Sequence, residues 1–132
     1  TMLPISGKVL VADDDREVRL GVIDLLAPLG LELYQAESGT DALRVLRQRV
    51  LDAMVLDVDM PGCTGLEVLV TVRKELEIPC IFCTGRPSEG LEHEALAAGA
   101  WAFLTKPIQP DLLRREVLRA VRHSLEGRGR TA

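Results

Sequence analysis

Five polar residues stand directly after short apolar runs, and their types suit phosphoryl transfer. Asp13 and Asp14 follow Val9-Leu10-Val11-Ala12, and Asp57 follows Ala53-Met54-Val55-Leu56. Thr84 follows Cys80-Ile81-Phe82-Cys83, and Lys106 follows a run from Trp101 to Thr105. Three carboxylates crowded at one place repel one another and favour a hard divalent cation. Mg²⁺ (or Mn²⁺) takes oxygen ligands in octahedral geometry, and Mg²⁺ keeps several of its waters. A carboxylate can attack phosphorus and become an aspartyl phosphate. The oxygens of the group in transfer carry negative charge, so cations and donors must surround them. Lys106 would supply a charge and Thr84 a hydroxyl.

These residues do chemistry together only if the chain brings them together. Short apolar runs alternate with helical patterns five times. Val9 to Ala12 reads as a strand covered on both faces. Asp15 is placed to cap the next helix, whose apolar positions are Val18, Val22, Leu25, Leu26 and Leu29. Pro28 and Gly30 mark its end. Leu31 to Ala36 is a weaker strand, and Ser38 to Arg49 a helix with Ala42, Leu43 and Leu46 inward. Ala53 to Leu56 forms the third strand. Thr64 opens a helix carrying Leu66, Leu69, Val70 and Val72 to about Leu76. Cys80 to Cys83 is the fourth strand, Ser88 to Ala98 a short helix closed by Gly99, and Trp101 to Thr105 the fifth strand. Pro110 and Asp111 start the last helix, with Leu112, Leu113, Val117, Ala120, Val121 and Leu125 as its apolar stripe. Such alternation implies an α/β parallel sheet with helices on both faces. Five units suggest a flavodoxin-like (βα)5 three-layer sandwich of strand order 2-1-3-4-5, whose ligand site lies beyond the carboxyl ends of the strands.

The chain has 132 residues, 47% hydrophobic and 27% charged, with a formal net charge of −4. That fits one aliphatic domain and excludes a surface that is basic all over. The expected organisation is an extension over residues 1–7, a domain over 8–126, and a tail or linker start over 127–132. An odd number of cysteines and no long apolar run point to a reducing, cytoplasmic setting and no membrane span.

The set Val9-Leu10-Val11-Ala12-Asp13-Asp14-Asp15, Leu56-Asp57-Val58-Asp59-Met60-Pro61-Gly62-Cys63-Thr64-Gly65, Cys83-Thr84-Gly85 and Phe103-Leu104-Thr105-Lys106-Pro107 resembles the bacterial response-regulator receiver family, from about Lys8 to Leu125. The resemblance implies that Asp57 is the phosphoacceptor and that Asp14 ligates Mg²⁺, helped by Asp13. The backbone carbonyl of Asp59 would be a further ligand. Lys106 would pair with the phosphoryl oxygens. Thr84 would move toward the phosphate, and Phe103 would turn inward with it. The Lys106–Pro107 bond would be cis, at the low cost such bonds carry before proline. It further implies a regulatory module that assists its own phosphorylation and dephosphorylation, rather than a turnover enzyme. The phosphoryl donor would be a sensor histidine kinase or phosphotransfer protein. The face of the fourth helix, fifth strand and fifth helix would act on a partner, a second copy, or an output domain absent from this chain. No nucleic-acid contact is expected from this domain itself.

Asp59 and Arg86 each lie two residues beyond a site residue and are expected to flank the phosphate entrance, where an ion pair between them would tune phosphate lifetime. Arg115, Arg119 and Arg122 share a helix face that reads first as a solvated one; the alternative is a docking face that pairs with Glu89, Glu92 and Glu94 in a symmetric dimer. Trp101 beside that face fits a partner site or simple packing. Cys80 and Cys83 imitate a dithiol, but positions three apart in a strand face opposite ways. Cys63, in an expected exposed loop, needs no function. His93 and His123 are expected on the surface. Two rivals remain. Asp57-Val58-Asp59 also resembles the nucleophile motif of haloacid-dehalogenase-like phosphatases, although that family places it after its first core strand. A receiver-like interaction module that is never phosphorylated is the other.

Overall fold

The computed structural model describes residues 7–128. Its elements run β1 Lys8–Ala12, α1 Arg16–Leu26, a 3-10 turn Ala27–Leu29, β2 Glu32–Ala36, α2 Gly39–Gln48, β3 Ala53–Asp57, α3 Gly65–Val72, β4 Cys80–Thr84, α4 Glu89–Ala97, β5 Ala102–Thr105 and α5 Pro110–Gly127. All neighbouring strands pair in parallel, in the order β2-β1-β3-β4-β5. The fold class and strand order are those the sequence implied. The expected extension and tail fall mostly on residues 1–6 and 129–132, outside the described residues.

Alternate side chains of the central strands enter two cores. Val9, Val11, Ala53, Val55, Ile81 and Cys83 pack with Val22 and Leu26 of α1 and Leu113, Val117 and Val121 of α5. Leu10, Met54, Leu56, Cys80 and Phe82 pack with Ala42 and Leu46 of α2, Val68 and Leu69 of α3 and Ala95 of α4. Cys80 and Cys83 therefore lie on opposite faces, both buried, and form no dithiol site.

Polar residues start the helices. Asp15 accepts hydrogen bonds from the N–H groups of Glu17 and Val18, Ser38 from Asp41, and Ser88 from Leu91. Thr64 and Glu67 form a reciprocal capping box at α3. Each such cap contributes about 1 kcal/mol. Gly99 ends α4 at φ 99°, a left-handed conformation that favours glycine.

Two expectations are corrected. Helix α3 stops at Val72 rather than near Leu76, and tighter turns follow, with Glu75 N–H donating to Val72 O at 3.0 Å. Past Val72 the chain reads Arg73-Lys74-Glu75-Leu76-Glu77, and its single apolar residue, Leu76, stays exposed, so no apolar face remains to hold a further turn on the core. Val70 likewise points to solvent. Among the described residues, no helix is long and apolar enough to cross a membrane.

Candidate functional site

The register of the sheet delivers the polar residues to one edge. Ala12 pairs with Leu56 across β1 and β3, and Asp57 pairs with Cys83 across β3 and β4. Thr84 pairs with Thr105, and Lys106 N–H donates to Thr84 O at 2.8 Å. Asp13, Asp57, Thr84 and Lys106 thus sit at or just beyond the carboxyl ends of adjacent strands.

Their side chains converge. Lys106 Nζ lies 3.0 Å from Asp13 Oδ2 and 3.6 Å from Asp57 Oδ1. Asp13, Asp14 and Asp57 each offer a carboxylate oxygen within 4.8 Å of the others. Asp13 and Asp57 are buried, at 4% and 6% exposure, and Asp14 is open to solvent. Hard oxygen donors at this spacing, two of them shielded from water, fit a divalent cation such as Mg²⁺. The Lys106–Pro107 peptide is cis, as expected.

Burial and then the Asp13 charge raise the Asp57 pKa from 3.8 to about 6. Lys106 and the Asp59 N–H, which donates to Asp57 Oδ1 at 3.2 Å, pull the other way. Burial opposes the Lys106 charge, but its hydrogen bond to Asp13 and the two carboxylates outweigh that and raise its pKa. The site is a repelling acid cluster held together by one lysine.

The remaining candidates are less closely drawn in. Thr84 is fully buried, and its Oγ1 accepts from the Arg86 N–H at 3.0 Å, a contact inside its own loop. Phe103 is half-buried and lines a cleft of about 430 Å³ with Pro87, Ser88, Glu89, Glu92 and Leu112. Asp59 and Arg86 are exposed, and among the described residues no ion pair joins them. On α5, Glu116 Oε2 lies 3.4 Å from Arg115 and 3.5 Å from Arg119, and Glu116 Oε1 accepts from Trp101 Nε1 at 3.1 Å. Two of the three arginines of this face thus pair, at the surface, with a glutamate of their own helix. Trp101 is half-buried, with the exposed His123 ring 5.3 Å away.

Sequence reasoning missed two residues that shape the site. Gly65 opens α3 with its N–H donating to Val58 O at 3.0 Å, and any Cβ there would collide with the Asp57 carbonyl. The signal was a glycine directly after a capping threonine, in the loop that follows Asp57. Arg19 is buried in α1, and its Nη1 donates to the Asp13 carbonyl at 2.7 Å. No local pattern marks it, because its partners lie on β1 and β2.

A family model described as a response regulator receiver domain matches residues 9–118. The uncharacterized transcriptional regulatory protein YrkP of Bacillus subtilis is 32% identical over 118 residues, 89% of this chain and 51% of that protein. The transcriptional activator protein ExaE of Pseudomonas putida is 34% identical over 122 residues, 90% of this chain and 55% of that one. The chain thus spans about half the length of these relatives, and 22% of the Vibrio campbellii luminescence regulatory protein LuxO, to which it is 38% identical over 98 residues. Among solved structures, the receiver domain of Francisella response regulator 1452 superposes with a TM-score of 0.85 at 29% identity, covering 90% of this chain and 99% of that one. Chemotaxis protein CheY4 of Vibrio cholerae gives 0.81 at 31% identity, covering 87% and 98%.

Proposed function

The chain belongs to the response regulator receiver domain family of two-component signalling, and on that premise we propose that it is a phosphorylation-dependent switch whose phosphoacceptor is Asp57. The single observation that carries the reading is the position of Lys106 Nζ, 3.0 Å from Asp13 and 3.6 Å from Asp57. A lysine held among acids at the end of a parallel sheet suits a group that must receive phosphoryl oxygens.

Asp57 Oδ1 is occupied by Lys106 and the Asp59 N–H, and among the described residues Oδ2 carries no hydrogen bond or ion pair. Oδ2 is the free nucleophile. It forms the new bond to phosphorus as the bond to the donor imidazole of a histidine kinase or phosphotransfer protein breaks. Asp13, Asp14, Asp57 and the Asp59 carbonyl would hold Mg²⁺ (or Mn²⁺), which when bound neutralises phosphoryl charge. Lys106 exchanges part of its carboxylate contact for a phosphoryl oxygen. Thr84 leaves the Arg86 N–H for the phosphate, and Phe103 moves from its cleft into the space this opens. The changed α4-β5-α5 face then acts on a partner, an output domain or a second copy. Water later attacks the same phosphorus, the bond to Asp57 Oδ2 breaks and inorganic phosphate leaves with the carboxylate restored, and the exposed Asp59 and Arg86 side chains tune the water's access. The switch is a regulatory acceptor and not a turnover enzyme.

Incubation with acetyl phosphate and Mg²⁺, followed by intact mass, tests this. The expected result is one added phosphoryl group, not formed when EDTA is present from the start and absent in Asp57→Asn. No adduct in the wild type, or an equal adduct in Asp57→Asn, refutes the assignment. Sustained turnover of a generic phosphate ester would favour the phosphatase reading instead.

A further inference from the structure

Arg19 is unusual for its place. It lies in the first turn of α1, where an arginine normally meets water, yet it is buried. Side chains in a helix lean toward its N-terminus, and here that direction leads to the site. Nη1 donates to the carbonyl oxygen of Asp13 at 2.7 Å, and Nε donates to Gln35 Oε1, on β2, at 2.9 Å. The guanidinium bridges the ends of β1 and β2.

The carbonyl it holds belongs to the peptide joining Asp13 to Asp14. Every other polar atom of Asp13 is also fixed. Its N–H donates to Ala36 O at 3.1 Å, Oδ1 accepts from the Asp15 N–H at 2.9 Å, and Oδ2 meets Lys106 at 3.0 Å. Asp14 differs: among the described residues its side chain has no hydrogen bond or ion pair. Asp14 is therefore aimed through its backbone alone, by the Asp13–Asp14 peptide that Arg19 holds and by the Asp14–Asp15 peptide whose N–H donates to Asp13 Oδ1. Its carboxylate nonetheless comes within 4.8 Å of those of Asp13 and Asp57.

We propose that Arg19, oriented by Gln35, is a positioning residue for the cation site, fixing the Asp13–Asp14 peptide so that the Asp14 carboxylate meets the other two. The proposal rests on the reading of those carboxylates as a Mg²⁺ pocket. Arg19 approaches from the carbonyl side, so its charge offsets acid repulsion without occupying a ligand position. Its planar fork reaches two acceptors in fixed directions, which a lysine ammonium on a flexible stem does not reproduce.

The test is Mg²⁺ titration by calorimetry on the whole chain, with folding checked by circular dichroism in EDTA. Arg19→Met is expected to weaken Mg²⁺ binding by about tenfold, as loss of an outer-shell partner does. Arg19→Lys keeps the charge but not the fork, and is expected to stay at least about threefold weaker than wild type. Gln35→Met, at an exposed position, should fall between Arg19→Met and wild type. A double-mutant cycle separates positioning from general destabilisation. If Arg19 acts through Asp14, Asp14→Asn costs much less affinity in the Arg19→Lys background than in the wild type. Independent losses, multiplying within about twofold, overturn the proposal. So do Arg19→Lys and Gln35→Met proteins that both bind Mg²⁺ within about twofold of wild type. A wild type that takes up no Mg²⁺ at all refutes the cation pocket itself, which distinguishes that failure from this one.

Discussion

Asp57→Asn should stabilise the metal-free protein at neutral pH and do nothing in acid. Asp57 has a pKa of about 6 in the fold against 3.8 for the free group. The folded state thus holds this proton more tightly than the unfolded chain does. The penalty for ionising Asp57 is absent below about pH 4, grows as pH rises through the window between those values, and is complete above about pH 6. A shift of about 2 units at 1.36 kcal/mol each sets a ceiling of about 3 kcal/mol. Asparagine keeps an oxygen for the Asp59 N–H but gives up the attraction to Lys106, so a net gain of about 1–2 kcal/mol is expected. That corresponds to a Tm rise of roughly 3–10 °C for a domain of this size. The assay is thermal or urea unfolding in EDTA at a series of pH values from 4 to 8. A variant no more stable than wild type at pH 7.5, or a gain that is the same at pH 4, refutes the account of the site as a repelling acid cluster. Added Mg²⁺ should narrow the difference, because a ligand bound to the folded state at about 100 times its Kd contributes about 2.7 kcal/mol.

Gly65→Ala places a Cβ against the Asp57 carbonyl; urea unfolding should show a loss of about 1–3 kcal/mol, and phosphorylation by acetyl phosphate should slow, because α3 must back away from the strand that carries Asp57. The three thiols should separate kinetically toward a maleimide or disulfide reagent at neutral pH. Cys63, half-buried, reacts in the native protein, whereas Cys80 and Cys83 wait for unfolding, since both are buried and burial pushes Cys83 up to about 12. Rapid native labelling of more than one thiol would contradict the placement of Cys80 and Cys83 in the two cores.

The fold was legible because β1, β3, β4 and β5 are apolar runs, each ended by a polar residue, whereas β2, with Glu32 and Gln35, gives a weaker signal. The candidate site was legible for the same reason: the polar residues that follow Ala12, Leu56, Cys83 and Thr105 are those that the sheet brings to one edge. Features that depend on register were not. Arg19 reads as a solvated helix residue until β1 and β2 are aligned and Asp13 O and Gln35 stand beside it. Asp52, which stands in the loop before β3 and which no motif singles out, is buried at the opposite end of the sheet. There it accepts from the Lys8 N–H at 2.7 Å through its side chain and from the Ser124 hydroxyl at 2.7 Å through its carbonyl, and it also pairs with Arg128. On α5 the sequence showed the arginine row but not that Glu116, between Arg115 and Arg119, pairs with both. The overshoot of α3 arose because an apolar residue at helical spacing, Leu76, reads as helix whether or not a surface exists to cover it.

The three acids of the pocket form a gradient of restraint, and that gradient has a mechanical meaning. Asp13 is held at all of its polar atoms, Asp57 at one carboxylate oxygen, and Asp14 only through its backbone. Lys106, nearer to Asp13 than to Asp57, is anchored by the most rigid member. On the proposed function, a phosphoryl group arriving at Asp57 would meet a lysine whose position is already fixed by Asp13, which takes no part in the bond being made. On that reading little of the cost of ordering the site would fall on the reacting carboxylate, because its neighbours are preorganised. The motion proposed to follow would fall to the Thr84 hydroxyl, tied by one hydrogen bond from the Arg86 N–H, and to Phe103, half-buried beside a cleft. Rigidity at β1 and freedom beyond β4 are what a domain needs if the charge it gains at one strand end is to be read on the face of α4, β5 and α5.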